Sequence, residues 1–564
     1  MSSYGRLDEH EQAKLEASRR TKKRIAIIAI SSIVLVCIVV GAVVGTVANG
    51  KKPSSTVSDG DGDISVSVKA VCDVTLHKDK CFETIGSAPN ASTLTPEELF
   101  NYAIKITITE LSKVLTGFST NEHMDNATSA AMGACVELIG LAVDQLNDTM
   151  TSIKDKTTSF PKSVTDLRTW LSSVETYQET CMEALVEANK TSLASFGETH
   201  LKNSTEMTSN ALAIITWLGK IADSVKLRRR LMASAGDMPT MDGRKLLEGG
   251  DLRKIANIVV AKDGSGRYRT ISEALMEVEE KNEKRTIIYV KKGIYLENVR
   301  VEKTKWNVVM VGDGQSKTIV SAGLNFIDGT PTFQTATFAV FGKGFMARDM
   351  AFRNSAGPAK HQAVALMASA DLAVFYKCTM DAFQDTLYAH AQRQFYRDCD
   401  IFGTVDFIFG NAAVVFQNCK ILPRRPMKGQ QNTITAQGKK DPNQNTGISI
   451  HNCHILPLDD LTGIKTFLGR PWKDFSTTVI MKTFMDGFID SKGWLPWTGD
   501  TAPDTIFYAE HLNFGPGAST KDRVKWRGLR TFLTKSEANK FTVKPFIDGN
   551  KWLPPTKVPF KSDL

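Results

Sequence analysis

At 564 residues the chain is too long for a single ordinary core, so at least two domains are expected. Its composition, 42% hydrophobic and 23% charged, is that of a globular protein and excludes a chain that is disordered throughout. The net charge of +9 favours acidic partners, and it is concentrated in residues 251–564, where 43 Lys and Arg face 31 Asp and Glu.

The first 24 residues are a polar tail ending in Arg19, Arg20, Lys22, Lys23 and Arg24. Residues 25–48 follow as an almost uncharged apolar run, long enough to cross a bilayer as a helix. The basic flank keeps the tail cytosolic, and no crisp small-residue cleavage site follows, so an uncleaved signal anchor is expected. The remainder then enters the secretory route, which argues against nucleic acid as the acidic partner. Residues 49–64, rich in Pro, Ser, Gly and Asp, read as a linker.

Residues 65–227 carry helical periodicity. The stripes are Phe100, Ile104, Ile108, Leu111 and Leu115; Cys135, Leu138, Ala142 and Leu146; Leu167, Trp170, Val174, Tyr177 and Cys181; and Met207, Ala211, Ile214, Leu218 and Ile221. Four such faces joined by polar connections predict an all-α four-helix bundle. In an oxidising compartment Cys72 and Cys81 are close enough for a local bridge, and Cys135 and Cys181 can staple two helices. Asn90, Asn126, Asn147, Asn189 and Asn203 each begin an Asn-x-Ser/Thr sequon, and none follows position 205, so glycans are expected on this region alone. In residues 228–250, Arg228, Arg229, Arg230 and Leu231, then Arg244, Lys245, Leu246 and Leu247, bracket a small-residue segment suited to proteolytic processing.

From residue 251 to 564 the texture changes to short strands, at Ile258 to Ala261, Thr286 to Val290, Val308 to Val311 and Thr337 to Val340, with one helix expected from Ile271 to Glu280 as a cap. Cys378, Cys399 and Cys419 recur at a near-constant interval in a hydrophobic–polar–Cys–polar–hydrophobic setting. That short period predicts an all-β parallel β-helix, in which residues one turn apart are neighbours about 4.8 Å apart. Asp385 and Asp406, separated by the same interval, then sit side by side, and Gln362 falls one turn earlier. Two adjacent carboxylates cannot both ionise easily, so one serves as acid and the other as charged nucleophile. Gln362 and Gln384 can donate to an oxyanion. On spacing alone Arg470 can hold Asp406 ionised or be a structural ion pair, and Trp472 can stack on a sugar or pack in the core. His361 and His390 read as structural, as does Glu297. No spacing of Cys and His reads as a metal site, and no cofactor is implied.

The blocks GIYLE (293–297), QAVAL (362–366), QDTLY (384–388), DFIFG (406–410) and LGRPW (468–472), in this order, resemble the plant pectin methylesterase (pectinesterase) family over about Lys254 to Pro554. The region before it resembles the family's inhibitor-like pro-region. The resemblance implies a right-handed β-helix, a carboxylic ester hydrolase, and release of methanol from esterified pectin in the cell wall. It implies Asp406 as nucleophile, Asp385 as proton donor and later base, Gln362 and Gln384 at the oxyanion, Arg470 beside Asp406, and Thr332, Gln362, Arg470 and Trp472 on substrate. It also implies a Cys399–Cys419 disulfide, although Cys378 and Cys453 share that setting and Cys378–Cys399 stays open. The expected partners are pectin, a subtilisin-like processing protease and a proteinaceous pectinesterase inhibitor, with membrane contact through the anchor before processing in the Golgi. A β-helix lyase or glycosidase acting on the same polymer, and a non-catalytic wall-binding protein, are the competing readings.

Overall fold

The computed structural model describes residues 66–118, 125–154, 160–232 and 251–564. The expected tail, anchor and linker, residues 1–64, and Arg244 to Leu247 lie outside the described residues.

Two short helices, Val66–Cys72 and Lys78–Ile85, are joined by the Cys72–Cys81 disulfide. Four long helices follow, Pro96–Phe118, Asn126–Lys154, Phe160–Glu187 and Thr191–Met232. The first begins with Pro, whose missing N–H is one the helix could not have used, behind a Thr95–Glu98 capping box: Thr95 N donates to Glu98 Oε2 at 2.8 Å and Glu98 N to Thr95 Oγ1 at 3.3 Å. Its buried face is Phe100, Ala103, Ile104, Thr107, Leu111 and Val114, whereas Ile108 and Leu115 are only partly covered. Thr107 is tolerated there because its hydroxyl donates to Ala103 O at 2.8 Å. Cys135 and Cys181, both fully buried, are disulfide-bonded between the middle two helices. Asn126–Ile153 is long and apolar enough to cross a membrane, but half of its most apolar stretch is buried within the protein, as in a core helix. Asn90, Asn126, Asn147, Asn189 and Asn203 are all exposed.

The fourth long helix continues to Met232, so the backbone at Arg228 to Leu231 extends that helix and does not belong to the linker expected there. Lys226, Leu227 and the three arginines are good helix formers, and no Gly or Pro interrupts them before Gly236.

Residues beyond 251 wind into a parallel β-helix of three sheets with eleven, seven and eight strands, in which strands from successive turns stack in order. Ala373 pairs with Gln394, Thr379 with Asp400, and Leu387 with Ile408, each partner lying one sequence repeat further on, so one repeat is one turn. Asp349, Lys377, Asp398, Asn418, Asn452, Lys482 and Leu512 each follow a strand of the eleven-stranded sheet and have φ between 48° and 59°. These left-handed residues make the corner, and the next residue turns inward, as Cys378, Cys399, Cys419 and Cys453 do with 0–1% exposure. The Cys-centred sequence pattern is therefore the signature of a tight corner with a small apolar side chain inside it. Phe375, Tyr396 and Phe416 stack behind it with ring centroids 4.8 and 4.7 Å apart.

The Cys399–Cys419 disulfide is not formed, nor is Cys378–Cys399; all four solenoid cysteines are free and buried. In-register stacking points their Cα–Cβ bonds the same way, while a disulfide needs them to converge. Their thiols face main-chain carbonyls instead, Cys399 Sγ to Phe375 O at 3.4 Å and Cys419 Sγ to Tyr396 O at 3.6 Å.

The cap helix is shorter than expected, Ile271–Met276. Thr270 and Glu273 form its capping box, and the Glu297 carboxylate accepts from Ile271 N at 2.9 Å and Ser272 N at 3.0 Å, which is the structural role of Glu297.

Candidate active site

Asp385 and Asp406 lie just before two stacked strands of the seven-stranded sheet, Leu387–Ala389 and Ile408–Gly410. Both have positive φ, 62° and 49°, as does His361 next to Gln362, φ 59°. Such conformations cost energy in non-Gly residues and persist where neighbours hold them. Here Asp385 N donates to Val405 O at 3.0 Å, and Asp406 N donates to Thr433 Oγ1 at 2.8 Å. Gln362 and Gln384 are joined by a parallel bridge, one turn apart on the same side.

The two carboxylates differ in surroundings. Asp406 receives Arg470 Nε at 2.9 Å on Oδ1 and Arg470 Nη2 at 2.6 Å on Oδ2, and the Thr433 hydroxyl donates to Oδ1 at 2.5 Å. Arg470 is carried by the strand Thr466–Pro471, two turns along from Asp406, and the Trp497 ring lies 4.3 Å from its guanidinium. The hydrogen bonds of Arg470 go to Asp406, not to Asp385. Burial, then the neighbouring Asp406 charge and Glu187, push the Asp385 carboxyl well above the usual carboxylate range, against Arg470, which lowers it. Asp406 is thus gripped by a guanidinium and a hydroxyl, while Asp385 favours its proton.

Thr332, Gln362, Gln384, Asp385, Asp406, Arg470 and Trp472 line one cavity of about 640 Å³. All the expected site residues are brought together. Tyr388 and Phe409, stacked at 4.1 Å, and Trp497 form much of its aromatic wall. Thr433 and Trp497 were not legible beforehand. Thr433 follows Asp406 by a little more than one repeat, close enough to have marked it as a neighbour, whereas Trp497 carries no such signal. His390 is structural: it is fully buried, bonds to Thr180 and Ser369 at 2.9 and 3.0 Å, and burial holds its pKa down at about 3.

The helix Phe160–Glu187 forms the opposite wall. Lys473 donates to Glu179 at 2.6 Å and pairs with Glu183 at 2.8 Å, and Thr332 N donates to Glu187 Oε2 at 2.9 Å. Burial pushes Glu183 up to about 7, against the lowering effect of Lys473. None of these carboxylates was singled out by the sequence, because a charged face on a helix looks the same whether it meets water or another domain.

Residues 257–550 match the Pectinesterase family model, and residues 66–214 match that of the plant invertase/pectin methylesterase inhibitor. Over the full length of both chains the protein is 82% identical to the probable pectinesterase/pectinesterase inhibitor 46 of Arabidopsis thaliana. It is 46% identical to pectinesterase 3 of Phaseolus vulgaris, covering 100% of this chain and 98% of that one. The solved pectin methylesterase from carrot aligns with TM-score 0.54 and 50% identity, covering 55% of this chain and 98% of that structure. With its solenoid matched by one model and its helical region by the other, the chain belongs to the pectinesterase family of carboxylic ester hydrolases and carries that family's inhibitor-like region.

Proposed function

We propose that the protein hydrolyses methyl esters of galacturonate units in pectin, with Asp406 as nucleophile and Asp385 as general acid and base. The observation that carries this is the asymmetry of the pair, Asp406 held by Arg470 and Thr433 while Asp385 is buried and inclined to keep its proton. Asp406 attacks the ester carbonyl carbon, and the oxygen charge that develops is met by the side-chain N–H groups of Gln362 and Gln384. Asp385 gives its proton to the departing methoxy oxygen, so methanol leaves and an acyl–Asp406 anhydride remains. Asp385, now charged, takes a proton from water; the hydroxide attacks the anhydride, releases the galacturonate carboxylate and frees Asp406. Thr332 and Trp472 hold the sugar beside the pair.

We read the helical region as a four-helix bundle acting as an inhibitor-like pro-region, delivered by the 25–48 anchor through the Golgi and cut away in residues 228–250 by a subtilisin-like protease. The freed esterase then works on pectin in the cell wall, where a separate pectinesterase inhibitor is the partner that replaces the lost bundle. The test is methanol release from esterified pectin with polymer length followed in parallel. Methanol without shortening is expected, and Asp406→Asn abolishes it. Shortening of the polymer by the wild type, or activity of Asp406→Asn within tenfold of wild type, overturns the reading.

A further inference from the structure

One register row crosses the seven-stranded sheet on the side that meets the helical region, from Arg300 through Ala339, Met367, Tyr388, Phe409 and Ala436 to Arg470. At the spacing of stacked strands it spans about 29 Å. The catalytic cavity lies at the Arg470 end. At the other end is a second cavity of about 470 Å³, walled on the solenoid side by Lys303, Trp306, Phe341 and Lys343.

The two ends share a chemistry. Lys343 Nζ lies 5.7 Å from the Trp306 ring and the Arg300 guanidinium 3.9 Å from Phe341, as Lys473 lies 5.2 Å from Trp472 and Arg470 4.3 Å from Trp497. The helical region also sets carboxylates on the cations at both ends. Glu137 pairs with Arg300 at 2.6 Å, and Asp144 and Asp148 with Lys303 at 3.1 and 3.6 Å, as Glu179 and Glu183 do with Lys473. Of the other acidic groups at the second cavity, Asp371 is taken up by Arg393 at 2.7 Å and by Trp170 at 3.1 Å, and Glu283 stands exposed at the rim.

An indole face beside two ammonium groups suits a sugar that carries a free carboxylate: the ring stacks, and the charge meets the cations. A methyl ester keeps the ring and loses the charge. We propose that the cavity of Lys303, Trp306, Phe341 and Lys343 is a second polymer-binding site that takes a de-esterified galacturonate stretch of the chain whose esters are being cut. This rests on the pectin esterase reading and adds a preference for chains that are already partly acidic. In the intact chain the carboxylates of Asp144 and Asp148 occupy the place of the polymer's own at Lys303.

The experiment measures binding of two matched oligomers, one fully de-esterified galacturonate and one fully methyl-esterified, to the full chain carrying Asp406→Asn throughout, so that the esters stay uncut. Lys303→Gln with Lys343→Gln weakens the de-esterified oligomer at least tenfold and leaves the esterified one unchanged; Lys303→Arg with Lys343→Arg keeps most of the affinity. Asp144→Asn with Asp148→Asn tightens the de-esterified oligomer by freeing Lys303. Unchanged binding in the Gln variant, equal loss on both oligomers, or no binding of the de-esterified oligomer by the Asp144→Asn with Asp148→Asn variant overturns the proposal. Methanol release from pectin, followed separately, reports on the esterase reading alone: its absence with charge-dependent binding retained sinks that reading and keeps the site.

Discussion

Arg470 meets Asp406 side-on, with Nε and Nη2 each on a different carboxylate oxygen at 2.9 and 2.6 Å. A planar guanidinium can do this and an ammonium cannot, so the contact fixes direction as well as charge. Arg470→Lys is expected to keep the fold and lose on the order of 10- to 100-fold in kcat, the worth of one charge-assisted hydrogen bond. Arg470→Ala loses more. A Lys variant with wild-type kcat and a raised KM, in steady-state methanol release, would make Arg470 a substrate contact only.

Asp385 gives a pH signature. Its carboxyl is raised above its unfolded value, so the stability it lends is full below the ordinary carboxylate pKa of about 4 and is lost as pH rises toward the folded value. Asp385→Asn imitates the protonated form at every pH. The Tm of the variant should therefore gain on the wild type from about pH 4 upward, while methanol release is lost. A Tm difference that stays flat with pH would show that Asp385 is ordinary.

Gln384 and Gln362 flank the carboxylates one turn apart. Gln384→Ala is expected to slow kcat on the order of 100-fold or more with KM little changed, the scale of one lost oxyanion donor. Loss confined to KM would reassign the residue to binding.

Thiol mapping separates the two cysteine groups. Alkylation of the denatured, unreduced protein should label Cys378, Cys399, Cys419 and Cys453 and leave Cys72, Cys81, Cys135 and Cys181 unlabelled. Cys135→Ser opens a 46-residue loop and is expected to cost about 4 kcal/mol by chain entropy, read as a lower Tm. Protection of Cys399 and Cys419 from alkylation would mean that they pair after all.

The two basic motifs should not be equivalent to a protease, since cleavage needs an extended backbone and the Arg228 to Leu231 backbone is helical to Met232. Changing Arg244, Lys245, Leu246 and Leu247 to Ala is expected to hold most of the protein as a glycosylated full-length form. The same change at Arg228 to Leu231 should have little effect. N-terminal sequencing of the secreted form checks this, with a start near Glu248 expected and a start near Met232 against it.

The Asp385–Asp406 pair was legible because a solenoid translates sequence distance into spatial distance: with one repeat per turn, residues one repeat apart must stack, so the sequence alone makes the two neighbours. The corner pattern around Cys378, Cys399 and Cys419 and the helical stripes were legible for the same reason, being local periodicities of the backbone. The cysteine pairing was not, because four identical local settings do not say whether stacked Cβ bonds converge, as a disulfide needs, and the four thiols are free. Nor was Trp497, which reaches Arg470 from an irregular loop that keeps no period. Least legible of all was the contact of Lys473 with Glu179 and Glu183, which come from the other domain far back in the chain. Only packing of the helical region on the solenoid decides it, since an exposed charge and a charge awaiting a distant partner are written with the same residue.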